Sequence, residues 1–147
     1  GVAKALPLLA ADTFYVINSD NLWLDGRIRL LDAMVQQWKP DAMDALLMMV
    51  PLARAYGYTG FGDFSMDPLG RLSRRREGRL CAFVFGGVQI LSARLLDGAP
   101  AGAFSLNWAF DRALAQGRLF GLAHIGQWFH VGDPEGLHLA ETMIAAG

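Results

Sequence analysis

The sequence predicts an α/β fold with a mixed, mostly parallel sheet, and three observations support this. Continuous apolar runs at residues 14–17, 45–50 and 82–91 are typical of strands buried on both faces. Segments with the apolar period of a helix alternate with these runs, as in parallel α/β folds. Of the 147 residues, 53% are hydrophobic, which is enough for one sizeable core. We therefore assign residues 1–147 to a single domain. Because the sequence opens at Gly1 directly into an apolar helical pattern, we expect these residues to be the C-terminal part of that domain.

In the first half of the chain, residues 2–9 have a helical pattern and residues 14–17 form the first predicted strand. That strand ends in the polar cluster Asn18-Ser19-Asp20-Asn21. A helix follows and ends before Pro40, because proline cannot continue a helix. The residues predicted to line its buried face are Ile28, Leu31, Val35 and Trp38. The second strand covers residues 45–50, and a glycine-rich loop follows it.

In the second half, the turn sequence at residues 67–70 predicts a β-hairpin. The strand at 82–91 is interrupted by Gly86-Gly87, which indicates a bulge or a close approach to a ligand. A helix at 105–116 precedes short strands at 119–123 and 128–131. The last helix begins at Asp133-Pro134-Glu135, where an N-cap residue, a proline and an acid stand in the order that favours a helix start.

Charge and composition exclude several classes of function. Lys and Arg number 13 against 14 Asp and Glu, and this balance predicts no nucleic-acid partner and no anionic membrane partner. No apolar run approaches the roughly 18–20 residues that span a bilayer. The single cysteine, Cys81, cannot form an internal disulfide, which favours a reducing cytoplasm.

Asp20 is the first candidate for chemistry. The strand at 14–17 delivers Asn18 and Asp20 to its C-terminal end, where ligands bind in open α/β sheets. A carboxylate at that point can hold Mg²⁺ together with substrate phosphates. Capping of the turn explains Asp20 equally well, since aspartate and asparagine commonly stabilise turns.

Further candidates are weaker when each is taken alone. His130 shares one face of a short strand with Trp128, and a hydrogen-bonded structural histidine explains it better than a metal ligand or a phosphate contact does. The helix start explains Asp133, and turns explain the glycines of the 57–62 loop. A cluster of five arginines, which a solvated hairpin end explains, consists of Arg71, Arg74, Arg75, Arg76 and Arg79.

Six segments in a fixed order resemble the sugar-1-phosphate nucleotidyltransferases. The segments are Gly-Val-Ala-Lys-Ala-Leu-Pro-Leu-Leu at residues 1–9, Val-Ile-Asn-Ser-Asp at 16–20, Gly-Asp-Phe at 62–64, Phe-Gly-Gly-Val-Gln-Ile at 85–90, Gly-Ala-Phe-Ser-Leu at 102–106 and Trp-Phe-His-Val-Gly-Asp-Pro-Glu at 128–135. The resemblance covers essentially the whole chain. It is strongest to members that act on N-acetylmuramate 1-phosphate or mannose 1-phosphate, with UTP or GTP as the nucleotide.

This resemblance implies a Rossmann-like fold and a reaction in which a sugar 1-phosphate attacks the α-phosphate of an NTP and releases pyrophosphate. Asp20 then matches the family's catalytic, Mg²⁺-binding aspartate. Position 130, where many members have a second metal-binding aspartate, is His130 here, a poorer Mg²⁺ ligand. Gly62, Asp63 and Gly87 match segments that line the sugar pocket, and Asn18 is expected to contact substrate beside them.

The 147 residues contain no G-x-G-T-R-like phosphate loop, which in the family precedes all six of these segments. The resemblance therefore implies that the N-terminal strands are missing and that this chain alone is inactive. Two alternatives remain open. One is a non-catalytic sugar-nucleotide binding or regulatory domain, which His130 slightly favours, and the other is an inactive fragment.

Overall fold

The computed structural model describes residues 1–146. Its helices are α1 (Val2–Leu9), α2 (Leu30–Gln37), α3 (Asn107–Ala115) and α4 (Pro134–Ala146). Its strands are β1 (Thr13–Ile17), β2 (Asn21–Leu24), β3 (Ala45–Pro51), β4 (Ala55–Tyr56), β5 (Phe64–Met66), β6 (Leu72–Arg74), β7 (Phe83–Ser92), β8 (Leu119–Ala123) and β9 (Gln127–His130). The predicted elements are confirmed with small differences at their ends. Within residues 1–146, no helix is long and apolar enough to cross a membrane.

The main sheet has β7 and β3 at its centre, in the order β6-β5-β7-β3-β8, and β1 also pairs with β7. A smaller sheet has the order β2-β9-β4. The predicted hairpin joins β5 and β6, and Asp67 closes its turn by accepting hydrogen bonds from the amides of Leu69 and Arg71, both at 2.9 Å. The α/β class and the mixed sheet are confirmed.

The predicted parallel majority is wrong for the described residues. Only β3–β8 and β4–β9 pair in parallel, whereas β7 runs antiparallel to β1, β3 and β5. The prediction relied on the all-apolar runs of β3 and β7. These runs reflect burial on both faces, which a central strand undergoes whichever way it runs. Because β7 opposes both β1 and β3, those two strands run in the same direction, and their C-terminal ends lie at the same end of the sheet.

Two hydrophobic clusters cover the two faces of this sheet. Strand β3 contributes Leu47 and Met49 to the cluster on the α3 side, and Leu46 and Met48 to the cluster on the α2 side. Successive side chains of a strand point to opposite faces, so two covered faces produce an unbroken apolar run.

The predicted buried face of α2 is partly wrong. The helix begins at Leu30 and buries Leu30 and Met34, whereas Ile28 precedes it and Val35 lies on it with 59% exposure. The apolar period alone did not distinguish two adjacent stripes of the helix, and packing against the sheet selected the Leu30–Met34 stripe.

A buried ion cluster ties together the end of the sheet where β3 begins. The carboxylate of Asp44, which is 4% exposed, accepts a hydrogen bond from Arg94 Nε at 2.7 Å and pairs with Arg118 Nε at 3.0 Å. Both guanidinium groups also donate to the carbonyl of Pro40, at 2.7 and 3.0 Å. The cluster therefore joins the α2–β3 loop to the segment that follows β7 and to the start of β8.

Candidate active site

A gap along one edge of β7 forms the candidate site. Strand β3 pairs with residues 83–91 of β7, so β1 and β5 must both occupy the opposite edge. There, β1 begins pairing at Val88 and β5 pairs only at Phe83. Gly86 and Gly87 lie between these two points. The pairing of β7 with β3 also shifts its register here, which indicates a bulge in β7. The result is a crevice with β7 as its floor, between the end of β1 and the start of β5.

The β1 wall of this crevice consists of the predicted polar cluster. The amide of Asn18 donates to the carbonyl of Gly87 at 2.8 Å, which continues the β1–β7 ladder into the crevice. Asn21 donates through Nδ2 to Oδ1 of Asp20 at 2.8 Å, and the Asp20 side chain remains exposed. Asp20 is thus held by its neighbour and open to a ligand.

Gly87 has both a conformational and a steric reason to be glycine. Its φ is +83°, in the left-handed region that favours glycine. A Cβ at this position would lie 2.3 Å from Nδ2 of Asn21 and 3.2 Å from Cβ of Asn18. Without a side chain at Gly87, the polar cluster lies directly on the floor of the crevice.

We expect Gly87→Ala to destabilise the protein and to displace Asn21. The strained backbone alone costs roughly 1–2 kcal/mol, and the overlap with Asn21 and Asn18 adds to that. The free energy of unfolding, measured by urea denaturation, should fall by more than this conformational cost.

Gly78→Ala is the matched control for this prediction. Gly78 has a φ of +70°, but a Cβ there would meet no atom within 4 Å. This variant should therefore show the conformational cost alone. Equal losses in the two variants would show that Asn21 does not pack on Gly87 as described.

Strand β9 brings His130 to the same place. Asn21 pairs with His130 across the β2–β9 ladder, and the amide of Val131 donates to the carbonyl of Asp20 at 2.9 Å. A Cβ built on Gly132 would lie 2.8 Å from Cε1 of His130 and 3.4 Å from Cβ of Asp20. The side chains of Asp20 and His130 therefore adjoin one glycine, although 110 positions separate them in the sequence.

Trp128 and Asp133 orient this segment. Trp128 is buried and donates through Nε1 to the carbonyl of Gly86 at 2.9 Å, and its ring stacks on that of His130 with centroids 6.5 Å apart. The shared face predicted for Trp128 and His130 is confirmed. Asp133 accepts a hydrogen bond from the amide of Gly136 at 2.7 Å, as expected of the N-cap of α4.

The opposite wall begins at Asp63, just before β5. Its Oδ2 accepts a hydrogen bond from the amide of Phe85 at 2.8 Å, in the gap that no strand fills. Gly62 has a φ of +80°, and a Cβ there would lie 2.5 Å from the carbonyl of Cys81. Close approach to Cys81 therefore explains this glycine. Asp63, Gly62 and Tyr58 line a cavity of about 370 Å³.

The structure brings the predicted residues into one crevice, with Asn18, Asp20 and His130 at one wall, Gly87 on the floor, and Gly62 with Asp63 at the other wall. Sequence reasoning missed the role of Asn21, which pairs with Asp20 and covers Gly87. The sequence indicated the pairing with Asp20 only through the position of Asn21 beside it in the polar cluster. It gave no indication of the contact with Gly87, because that contact joins residues 66 positions apart.

The donor set suits Mg²⁺ better than a metal held by protein ligands alone. Within residues 1–146, no three His, Cys, Asp or Glu side chains converge in a way that could hold a metal ion. Mg²⁺ usually takes one or two carboxylates and completes its shell with water and substrate phosphates. The exposed carboxylate of Asp20 fits that role, and the imidazole of His130 is a weaker partner for a hard cation.

The mixed sheet and its crevice define the Rossmann-like fold of the nucleotidyltransferases, and comparison with solved structures supports this. A structure described as apo UDP-glucose pyrophosphorylase superposes with a TM-score of 0.76 at 15% identity, covering 99% of this chain and 58% of that one. At this identity the likeness shows the fold alone. No protein-family model matches the chain.

Two sequence relatives are more specific. The chain is 32% identical over 145 residues to N-acetylmuramate α-1-phosphate uridylyltransferase of Caulobacter vibrioides, covering 99% of this chain. It is 30% identical over 148 residues to the protein of the same name from Neisseria meningitidis serogroup B. It spans 60% and 61% of the lengths of these relatives. The predicted resemblance to sugar-1-phosphate nucleotidyltransferases is confirmed in both sequence and fold.

Proposed function

We propose that the protein to which this chain belongs transfers a nucleotidyl group from an NTP to a sugar 1-phosphate, forming an NDP-sugar and pyrophosphate. The observation that carries the proposal is the convergence of Asp20, Asn18 and His130 at the end of β1, where Gly87 of the crevice floor has no side chain and the polar cluster packs directly against it. The sequence relatives, both named as uridylyltransferases, favour UTP as the nucleotide over GTP.

In the proposed mechanism, the chain positions the reactants and offsets their negative charge. Asp20 and, more weakly, His130 would hold Mg²⁺, which would neutralise phosphate charge during attack of the sugar phosphate on the α-phosphate. Asn21 keeps the Asp20 carboxylate oriented through the 2.8 Å hydrogen bond. Asn18, Gly62, Asp63 and Gly87 would contact the sugar from both walls and from the floor. Such chemistry depends mainly on positioning and electrostatics.

The experiment that tests the proposal is direct. The protein containing this chain is incubated with Mg²⁺, UTP and a panel of sugar 1-phosphates, and pyrophosphate and NDP-sugar are measured. Formation of both products in equal amounts supports the proposal. Binding of UDP-sugar without any turnover would instead support the second candidate, a non-catalytic sugar-nucleotide binding domain.

A single observation favours that second candidate. Many relatives are expected to carry an aspartate at the position of His130, and an imidazole is a weaker Mg²⁺ ligand than a carboxylate.

We also propose a cytoplasmic location, because Cys81 is a free, buried thiol that suits a reducing compartment.

We expect His130→Asp to retain or raise turnover in Mg²⁺, because it places a hard oxygen ligand beside Asp20. His130→Ala should lower turnover by less than Asp20→Ala does. Steady-state rates across a Mg²⁺ titration check this, and the concentration of Mg²⁺ giving half-maximal rate should fall in His130→Asp. A rise in that concentration would contradict a metal-facing position for residue 130.

A further inference from the structure

A polar side chain, that of Gln89, projects into the apolar interior close to the candidate site. Gln89 is 0% exposed and lies in β7, two residues beyond Gly87 of the crevice floor. Its partners across the sheet are Val16 of β1 and Leu47 of β3. Residues directly opposite each other in an antiparallel pair have side chains on the same face. The Gln89 side chain therefore enters the hydrophobic cluster on the α3 side, to which Leu47 belongs and against which Val16 packs.

The protein satisfies only one half of this amide. Nε2 of Gln89 donates to the carbonyl of Val16 at 3.0 Å, directly across the β1–β7 ladder. Oε1 is buried, and no group of the described residues 1–146 donates to it. Burying a carbonyl oxygen without a donor costs more free energy than one neutral hydrogen bond returns. An apolar side chain of the same size would therefore suit this interior better.

The position of Val16 in β1 explains what the amide contributes. Val16 lies two residues before Asn18, whose own amide donates to the carbonyl of Gly87 at the edge of the crevice. Asp20 follows two residues later. The hydrogen bond from Gln89 adds a side-chain contact to the β1–β7 ladder just before this polar cluster. It restrains residues 18–20, because a strand end opens most easily where its cross-strand bonds run out.

We infer that Gln89 is a positioning residue for the proposed reaction, and that it holds the end of β1, with Asn18 and Asp20, against β7 at a cost in stability. This inference rests on the proposed function, because it takes Asp20 to act on the substrate or its metal ion. Gln89 is itself buried and acts through the carbonyl of Val16. Proteins commonly give up some stability at functional sites in this way.

Gln89→Met tests the inference, because methionine fills a similar volume without the amide donor or the carbonyl oxygen. The midpoint of urea denaturation should rise, since the buried oxygen without a donor is gone. Turnover should fall about threefold to tenfold, and the Asn18 amide proton should exchange faster by a similar factor in an NMR measurement, since one hydrogen bond no longer holds β1. Stability and activity should thus change in opposite directions, which a purely structural role would not produce.

Two further variants serve as controls. Leu91 is also fully buried, belongs to the same cluster and pairs with Phe14, further from the crevice. Leu91→Met should therefore keep the parental turnover and the parental exchange rate of the Asn18 amide. Gln89→Asn keeps a buried amide but shortens the side chain by one methylene, so that the donor no longer reaches Val16. This variant should lose turnover as Gln89→Met does, without the gain in stability.

The outcomes separate the inference from the proposed function. Parental turnover with unchanged Asn18 exchange in Gln89→Met would overturn the inference alone. A lower urea midpoint in Gln89→Met would also overturn it, because Oε1 would then be satisfied in the interior, as by a bound water. Absence of turnover in the parental protein would overturn the proposed function, and the positioning role of Gln89 with it.

Discussion

Replacing Asp20 by alanine is expected to lower turnover of the protein at least a hundredfold, corresponding to about 3 kcal/mol of transition-state stabilisation. Asp20 is exposed at the end of β1, and its carboxylate contributes no packing to either hydrophobic cluster. The fold should therefore persist, and thermal unfolding should be nearly unchanged. The measurement is the steady-state rate of NDP-sugar formation across a Mg²⁺ titration.

Asp20→Asn separates the two explanations for this residue. The amide keeps the shape of the side chain and an oxygen that can still accept the hydrogen bond from Asn21, but it removes the charge. A metal ligand should lose most of its activity in this variant, whereas a turn cap should not. Asp12, exposed and preceding β1 at its other end, provides the control: Asp12→Ala should keep the parental rate. Parental turnover in Asp20→Asn would refute the metal assignment.

Replacing Asp44 by alanine should lower the free energy of unfolding by roughly 3 kcal/mol. The carboxylate is 4% exposed and offsets two guanidinium groups at 2.7 and 3.0 Å. Its removal leaves both arginines without their acid and leaves a cavity at the start of β3. The side chains of Arg94 and Arg118 are 53% and 23% exposed, so water reduces the cost below that of a fully buried pair.

Urea denaturation checks the Asp44 prediction, with Asp41→Ala as its control. Asp41 is exposed, and only its backbone carbonyl accepts from Arg118, at 2.7 Å, so that contact survives the substitution. The control should change stability by no more than about 0.5 kcal/mol. A loss in Asp44→Ala as small as in the control would show that the cluster does not hold this end of the sheet together.

The candidate site was predictable in its parts and not in its assembly. Polar residues after an apolar strand singled out Asn18 and Asp20, and strand period put His130 beside Trp128 on one face. Nothing local indicated that Asn21 covers Gly87, or that Asp63 accepts the amide of Phe85. Those contacts depend on where β1 and β5 pair with β7 and where β9 pairs with β2, and each joins segments that are distant in the sequence. The Asp44 cluster was missed for the same reason, since its arginines lie 50 and 74 positions away.

What the sequence by itself determined is the fold class and most of the elements, whereas strands β2 and β4 were not predicted. The helix at Val2–Leu9 and the strand at Leu119–Ala123 match the predicted bounds, because apolar period and turn residues act within a few positions. Only the tertiary structure decided the direction of β7, the buried stripe of α2 and the crevice at Gly86 and Gly87. Burial makes a strand apolar whichever way it runs, so the pattern records that a residue is covered and not what covers it. Strand direction and pairing follow from contacts between distant segments, and those contacts form the site.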